Sequence, residues 1–330
     1  MTKLMNQPAA YVDEALEGLC AAFAGYRRVG RGGRVIARGA VVKGKVGVVT
    51  GGGFGHLPVF AGYVADGLLD ACAVGEVFAG PPMDICADAI RAADGGAGVV
   101  CVLGNYGGDR MSFGQACDEF EDAGGDTETV IVADDVASAS PTEATKRRGV
   151  AGMVFVFKIA GASAARGDGL ATVRGIAARA AERTRSIGVA LSPCTIPGAS
   201  APGFAVPDGM IELGMGIHGE PGIERRALPA ADVVTEALVA RLLADTTAMA
   251  PKRVAILVNS LGATPLEELL IVYRKAAQLL AAAGIEIARR HVGHYATSME
   301  MAGASISLLY LDAELEGLLA APTTCPFWPR

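Results

Sequence analysis

Short β-branched runs alternate along the chain with alanine-rich stretches whose apolar residues recur at helical spacing, the pattern of an α/β fold. "YVDEALEGLCAAF" (11–23) predicts a helix, as does "PPMDICADAIRAA" (81–93), with Pro82 near its start and Asp84 in its first turn. "VVKGKVGVVT" (41–50) predicts a strand that ends in a loop, "GGGFGHLP". "GVVCVLGNYGGD" (98–109) and "ETVIVADDV" (128–136) repeat the design of a buried strand entering a polar or glycine-rich loop. "LATVRGIAARAAERTRSIG" (170–188) predicts one long helix closed by Gly188. The segment 192–209, "SPCTIPGASAPGFAVPDG", reads as a linking loop or domain boundary. After it, helices are predicted over 233–246 and 265–284, and strands over 253–262 and 304–311.

At 330 residues the chain is long enough for two domains, divided here as 1–190 and 191–330. Hydrophobic residues are 51% and charged residues 19%, a balance that suits a compact globular protein. The net charge of −6, without a basic run, argues against nucleic acid as a partner. The one dense basic group, Lys146-Arg147-Arg148, reads as a solvated face. Seven cysteines without a Cys-x-x-Cys pair read as reduced core residues. The N-terminus lacks the apolar core of a signal peptide, and the most apolar stretch, "VAGMVFVFKIAGASAA" (150–165), is broken by Lys158 and too short for a membrane span. A cytoplasmic protein is expected, with no membrane partner.

The loops at 51–58, 104–110 and 134–138 stand where α/β sheets gather ligands, beyond the carboxyl ends of strands. "TGGGFGH" follows a strand, but His56 and Leu57 replace the Lys-Ser/Thr of a nucleotide-binding loop, and the third glycine of a dinucleotide fingerprint falls on His56. Backbone N–H groups at Gly52, Gly53 and Phe54 could hold a hydroxyl or a phosphate oxygen, or the glycines form a structural turn. His56 could act as general acid or base, or cap the backbone. For Asp109, the spacing favours a cap on the helix "MSFGQACDEF"; the alternative is a carboxylate that takes a proton from a hydroxyl attacking phosphorus. Asp134 and Asp135 read as structural. His218, in "GIHGEPG", lies between small residues within reach of Glu220. Its imidazole could add to a ketone carbonyl, or be a loop histidine bonded to Glu220. His291 and His294 lie three apart with no third ligand in view, so no metal site is read there.

Together "VVTGGGFGH", "GEVF", "NYGGDRM", "DDVA", "RGVAGMVFVFKIAGA", "LSPCTIPG", "ELGMGIHGEPG", "LVNSLGATPLEELLIVYR" and "TSMEMAG" make the chain resemble the dihydroxyacetone-binding subunits of dihydroxyacetone kinases, the DhaK or Dak1-domain family. The resemblance implies two α/β domains with mixed sheets, a ligand site near their interface, and a homodimer. It implies that His218 binds the ketone covalently as a hemiaminal while His56 and Asp109 handle the substrate hydroxyl. Gly52, Gly53, Phe54, Gly55 and Gly104 complete the implied substrate-binding set. No cofactor is implied on this chain; ATP or ADP with Mg2+ sits on a helical nucleotide-binding subunit of DhaL type. As the chain ends at "PTTCPFWPR" without such a domain, it is expected to be inactive alone.

Departures from the family pattern cluster in the same loops. Phe54 stands for serine, Leu57 for glutamate, Gly80 for the serine after "GEVF", Gly104 for lysine and Gly107 for threonine. The expected substrate is therefore a short ketose, either dihydroxyacetone or a four-carbon one such as erythrulose. The alternative is a ketose-sensing paralogue without catalysis.

Overall fold

In a computed structural model that describes residues 3–328, two six-stranded mixed sheets carry the chain. After helix α1 (Tyr11–Ala22), the first sheet is built from β1 (Tyr26–Val29), β2 (Val35–Arg38), β3 (Gly47–Phe54), β4 (Ala71–Val77), β5 (Val99–Gly104) and β6 (Thr127–Val132). Helix α2 (Met83–Ala93) joins β4 to β5, and α3 (Gly107–Asp122) joins β5 to β6. The strand order is β1-β2-β4-β3-β5-β6, with β4, β3, β5 and β6 parallel. Helices α4 (Met153–Arg166) and α5 (Leu170–Glu182) follow. The second sheet contains β7 (Thr184–Ala190), β8 (Met210–Leu213), β9 (Glu224–Ala227), β10 (Arg253–Ser260), β11 (Glu286–Gly293) and β12 (Gly303–Tyr310). Its order is β11-β10-β12-β7-β8-β9, antiparallel except for β10–β11. Helices α6 (Ala231–Asp245), α7 (Leu266–Ala282) and α8 (Ala313–Ala320) complete the chain.

The elements stack in layers. Helices α2 and α3 cover one face of the first sheet, and α6 and α7 cover the outer face of the second. Between the sheets lies α4, buried at every position from Met153 to Ala164. Its Phe155 meets His291 of β11, and its Phe157 meets Phe60 and Tyr63 of the first half. A helix that is apolar all round belongs in a core, which explains why 150–165 is the most apolar stretch without being a membrane span. No helix among the described residues is long and apolar enough to cross a membrane. Lys158, in the middle of α4, donates to the Leu318 carbonyl at 3.0 Å, and burial lowers its pKa to about 8.

Three sequence expectations are corrected here. The stretch 170–188 is α5 followed by β7, because Thr184–Ala190 is sandwiched between β12 and β8 and joins the second sheet. The change of sheet thus falls between β6 and β7, before residue 190; of the two readings of 192–209, the linking loop holds, between β7 and β8 of the second sheet. Finally, Arg147 is no solvated residue: its side chain is 1% exposed and grips Asp245 with two bonds, of 3.0 and 2.5 Å. Arg185 reaches the same carboxylate at 2.5 Å. Removing one member of a buried ion pair leaves the other charge poorly compensated. Arg147→Ala is expected to lower the unfolding free energy by about 3 kcal/mol in urea denaturation.

Candidate active site

The parallel strands β3, β4 and β5 end together; the loops that leave them carry His56, Phe78, Gly80 and Tyr106, and the first turn of α3 carries Asp109. The glycine run was expected to open a loop at Gly51, yet β3 continues through it to Phe54. Absence of side chains serves packing here. A Cβ on Gly51 would lie 2.7 Å from the Phe113 ring, on Gly52 2.1 Å from Phe60, and on Gly53 2.8 Å from the Ala79 nitrogen. The turn itself begins at Gly55, whose φ of +100° favours glycine. Two non-glycine residues with left-handed φ, Phe78 (59°) and Met299 (52°), flank this turn. Phe78 N–H donates to the Phe54 carbonyl at 3.0 Å, and Met299 N–H to that of Gly55 at 2.8 Å. Such backbone strain concentrates where a site must be held in one shape.

His56 is completely buried, and its Nδ1 lies 2.7 Å from the Thr297 carbonyl, supplied by the second half of the chain. A carbonyl only accepts, so the proton is assigned to Nδ1, and Nε2 is left buried with no partner. Phe78 stacks on the ring at 5.0 Å. Burial, reinforced by the neighbouring His218, pushes its pKa down to about 3. His56 is therefore neutral and presents an acceptor nitrogen.

The loop between β8 and β9 carries His218 across to this strand end. Its ring centroid lies 4.8 Å from that of His56, 5.5 Å from Phe78 and 5.0 Å from Tyr106, edge-on to all three. Its Nδ1 is 3.0 Å from Glu220 Oε1, while its backbone N–H donates to Glu220 Oε2 at 2.5 Å. Both readings made of this histidine thus share one geometry. The carboxylate fixes the proton on Nδ1, which leaves Nε2 as the nitrogen with a lone pair to offer. Burial opposes ionisation of Glu220, but the bonds from His218 outweigh it and hold its pKa at about 2. Arg148 braces the arrangement by binding Asp135 at 2.9 Å and the Gly214 carbonyl at 2.8 Å, with Glu220 4.0 Å away. Small neighbours are required: a Cβ on Gly216 would lie 2.0 Å from Glu220, and one on Gly219 2.1 Å from Phe204.

Asp109 does not cap its helix. Tyr106 is the N-cap residue of α3, and Asp109 lies in the first turn with Oδ1 buried and unpartnered. Burial pushes its pKa up to about 6, with His218 opposing the shift. Asp134 instead does the capping, accepting from Val150 and Gly152 at the start of α4.

The structure sets the His56 and His218 rings 4.8 Å apart, with Asp109 near enough to feel the His218 charge, Gly55 next to His56 in the chain, and Gly104 against Tyr106. Gly52, Gly53 and Phe54 lie in the strand, and the Phe54 ring turns away, 6.2 Å from Tyr11. His291 packs among Phe155, Tyr295 and Trp328, far along β11, and His294 bonds the Gly262 carbonyl at 3.1 Å. Sequence reasoning missed Phe78, Tyr106 and the bracing role of Arg148. Each had a signal: Phe78 ends "GEVF", Tyr106 stands in "NYGGDRM", and Arg148 closes the basic triplet.

Two α/β halves, with a histidine of the second lowered onto the strand ends of the first, define a two-domain α/β ligand-binding protein. The chain belongs to the Dak1 domain family, whose sequence profile matches residues 17–327. It is similar to the L-erythrulose kinase of Pectobacterium atrosepticum, 44% identical over 99% of this chain and 56% of that protein. It is also similar to the PTS-dependent dihydroxyacetone kinase 1, dihydroxyacetone-binding subunit DhaK, of Listeria innocua, 41% identical over 95% of each chain. The crystal structure of the native dihydroxyacetone kinase of C. freundii matches with a TM-score of 0.90 at 34% identity, over 99% of this chain and 60% of that one. The chain therefore spans little more than half of the erythrulose kinase and nearly all of the Listeria subunit.

Proposed function

We propose that this chain holds a ketose of three or four carbons on His218 while a terminal hydroxyl of the sugar receives a phosphoryl group. The observation that carries this reading is the pairing of a carboxylate-oriented imidazole with two unpartnered acceptors, His56 Nε2 and Asp109 Oδ1, in one buried place. The lone pair of His218 Nε2 forms a bond to the carbonyl carbon, and the π pair moves to the oxygen, which takes a proton from water. Nδ1 returns one proton to water, so the neutral imidazole and ketone give a neutral hemiaminal. Hemiaminal formation tells ketones from plain polyols and fixes the rest of the sugar. A distal hydroxyl then gives its proton to Asp109 as its oxygen bonds to phosphorus and the bond to the nucleotide breaks, while His56 Nε2 accepts a hydrogen bond from another hydroxyl of the sugar. A carboxylate with a pKa near 6 suits that task better than an imidazole near 3.

The free groups of this site are one carboxylate and two imidazoles, not the oxygen set of Mg2+ or a lysine-bearing phosphate loop. The proposal therefore keeps ATP or ADP with Mg2+ on a helical, DhaL-type nucleotide-binding subunit or domain. It also keeps a homodimer in the cytoplasm.

The test combines two measurements. With [2-13C]dihydroxyacetone or [2-13C]erythrulose, the ketone carbonyl resonance should be replaced, for the bound fraction, by one in the tetrahedral-carbon region. With a nucleotide-bearing partner present, the ketose phosphate should accumulate. An adduct without transfer to any ketose would leave a sensor rather than a kinase, and absence of both would end the proposal.

A further inference from the structure

The three side chains of the site are not held equally. His56 is tied to Thr297, and His218 to Glu220, so the two rings have fixed positions. Asp109 Oδ1 has no donor on the protein. What locates it is an absence: a Cβ built on Gly80 would lie 2.2 Å from Oδ1. Ordinary contact begins near 3.4 Å, so any side chain at position 80 must displace the carboxylate by about 1 Å. Gly80 lies just after the end of β4, so a side chain there would push Oδ1 from its present position. Gly107, in the same helical turn as Asp109, differs: a Cβ there meets nothing within 4 Å.

We propose that Gly80 is the residue that sets ketose chain length in this protein. It admits the Asp109 carboxylate into the volume a side chain would fill, which lengthens the span from His218 to Asp109 and matches the site to a four-carbon ketose. This rests on the function proposed above. One further carbon adds about 1.5 Å of bond length to a sugar, comparable to the displacement that a β-carbon at position 80 would force. In a site that reads hydroxyl positions, a misplacement of that size is felt strongly.

The deciding experiment uses the full chain with its nucleotide-bearing partner and compares wild type, Gly80→Ala, Gly80→Ser and Gly107→Ala. For each, kcat and KM are measured on dihydroxyacetone and erythrulose, and adduct formation is read by 13C NMR. The ratio of kcat/KM for erythrulose over dihydroxyacetone should exceed one in wild type and fall about tenfold or more in both Gly80 variants. Adducts should still form, because His218 and Glu220 are untouched, and Gly107→Ala should keep the wild-type ratio. Retained adducts with an unchanged ratio in the Gly80 variants, or an equal fall in Gly107→Ala, overturn this inference alone. Wild-type protein that forms no adduct with either ketose overturns the underlying function and this inference with it.

Discussion

His218→Ala should leave the carbonyl resonance of a [2-13C]ketose where it stands in free solution, at every protein concentration. Only one other side chain in the site combines a lone pair with a fixed orientation, and it is the weaker nucleophile. His56 Nε2 has a lone pair, but its pKa near 3 marks a weakly basic nitrogen. Phosphoryl transfer should fall at least about a hundredfold, since an untethered sugar is no longer aligned with Asp109. The fold should persist: His218 is partly exposed, and its loss leaves Glu220 facing Arg148 and solvent. A variant that still produced the tetrahedral carbon signal would move the covalent role elsewhere.

Asp109→Asn should retain the adduct and lose turnover, by about a hundredfold or more, because the amide can occupy the same place but cannot accept the proton. The pH profile gives a second reading. In wild type the ionised carboxylate is the working form, and burial raises its pKa to about 6. Activity should therefore be full above that pH and drop about tenfold per unit below it. The asparagine variant should lack this acid limb. Histidine titration cannot produce the same limb at position 56, whose imidazole stays neutral down to about pH 3. A limb that persisted near pH 6 in Asp109→Asn would assign the proton to another group.

Local pattern made a good part of this fold legible. β5, β10, β12, α1, α2, α6 and α7 fall where periodicity predicts, because each buries a face that its own residues define. The failures are positions decided from far away. Thr184–Ala190 follows an alanine-rich helix without a break, and only the flanking strands β12 and β8 make it a strand. Arg147 looks like part of a charged surface until Asp245, 98 residues on, closes around it. The glycines at 51–53 suggest a loop or turn, whereas Phe113, Phe60 and the 78–79 backbone use their missing side chains as sockets. For the site, Glu220 was visible beside His218 in the sequence. Phe78 and Tyr106 stood within "GEVF" and "NYGGDRM", but an aromatic residue at a strand end carries no mark of which ring it will meet.

The position of α4 has a consequence for how the molecule comes apart. A polypeptide cut at residue 190 would keep this helix but strip one flank of it, exposing Phe155 and the side of α4 that β10, β11 and β12 normally shield. The other fragment would lose the wedge between its sheet and the rest. The two lobes are therefore mutual chaperones rather than independent modules, and heating should melt them together in a single cooperative step.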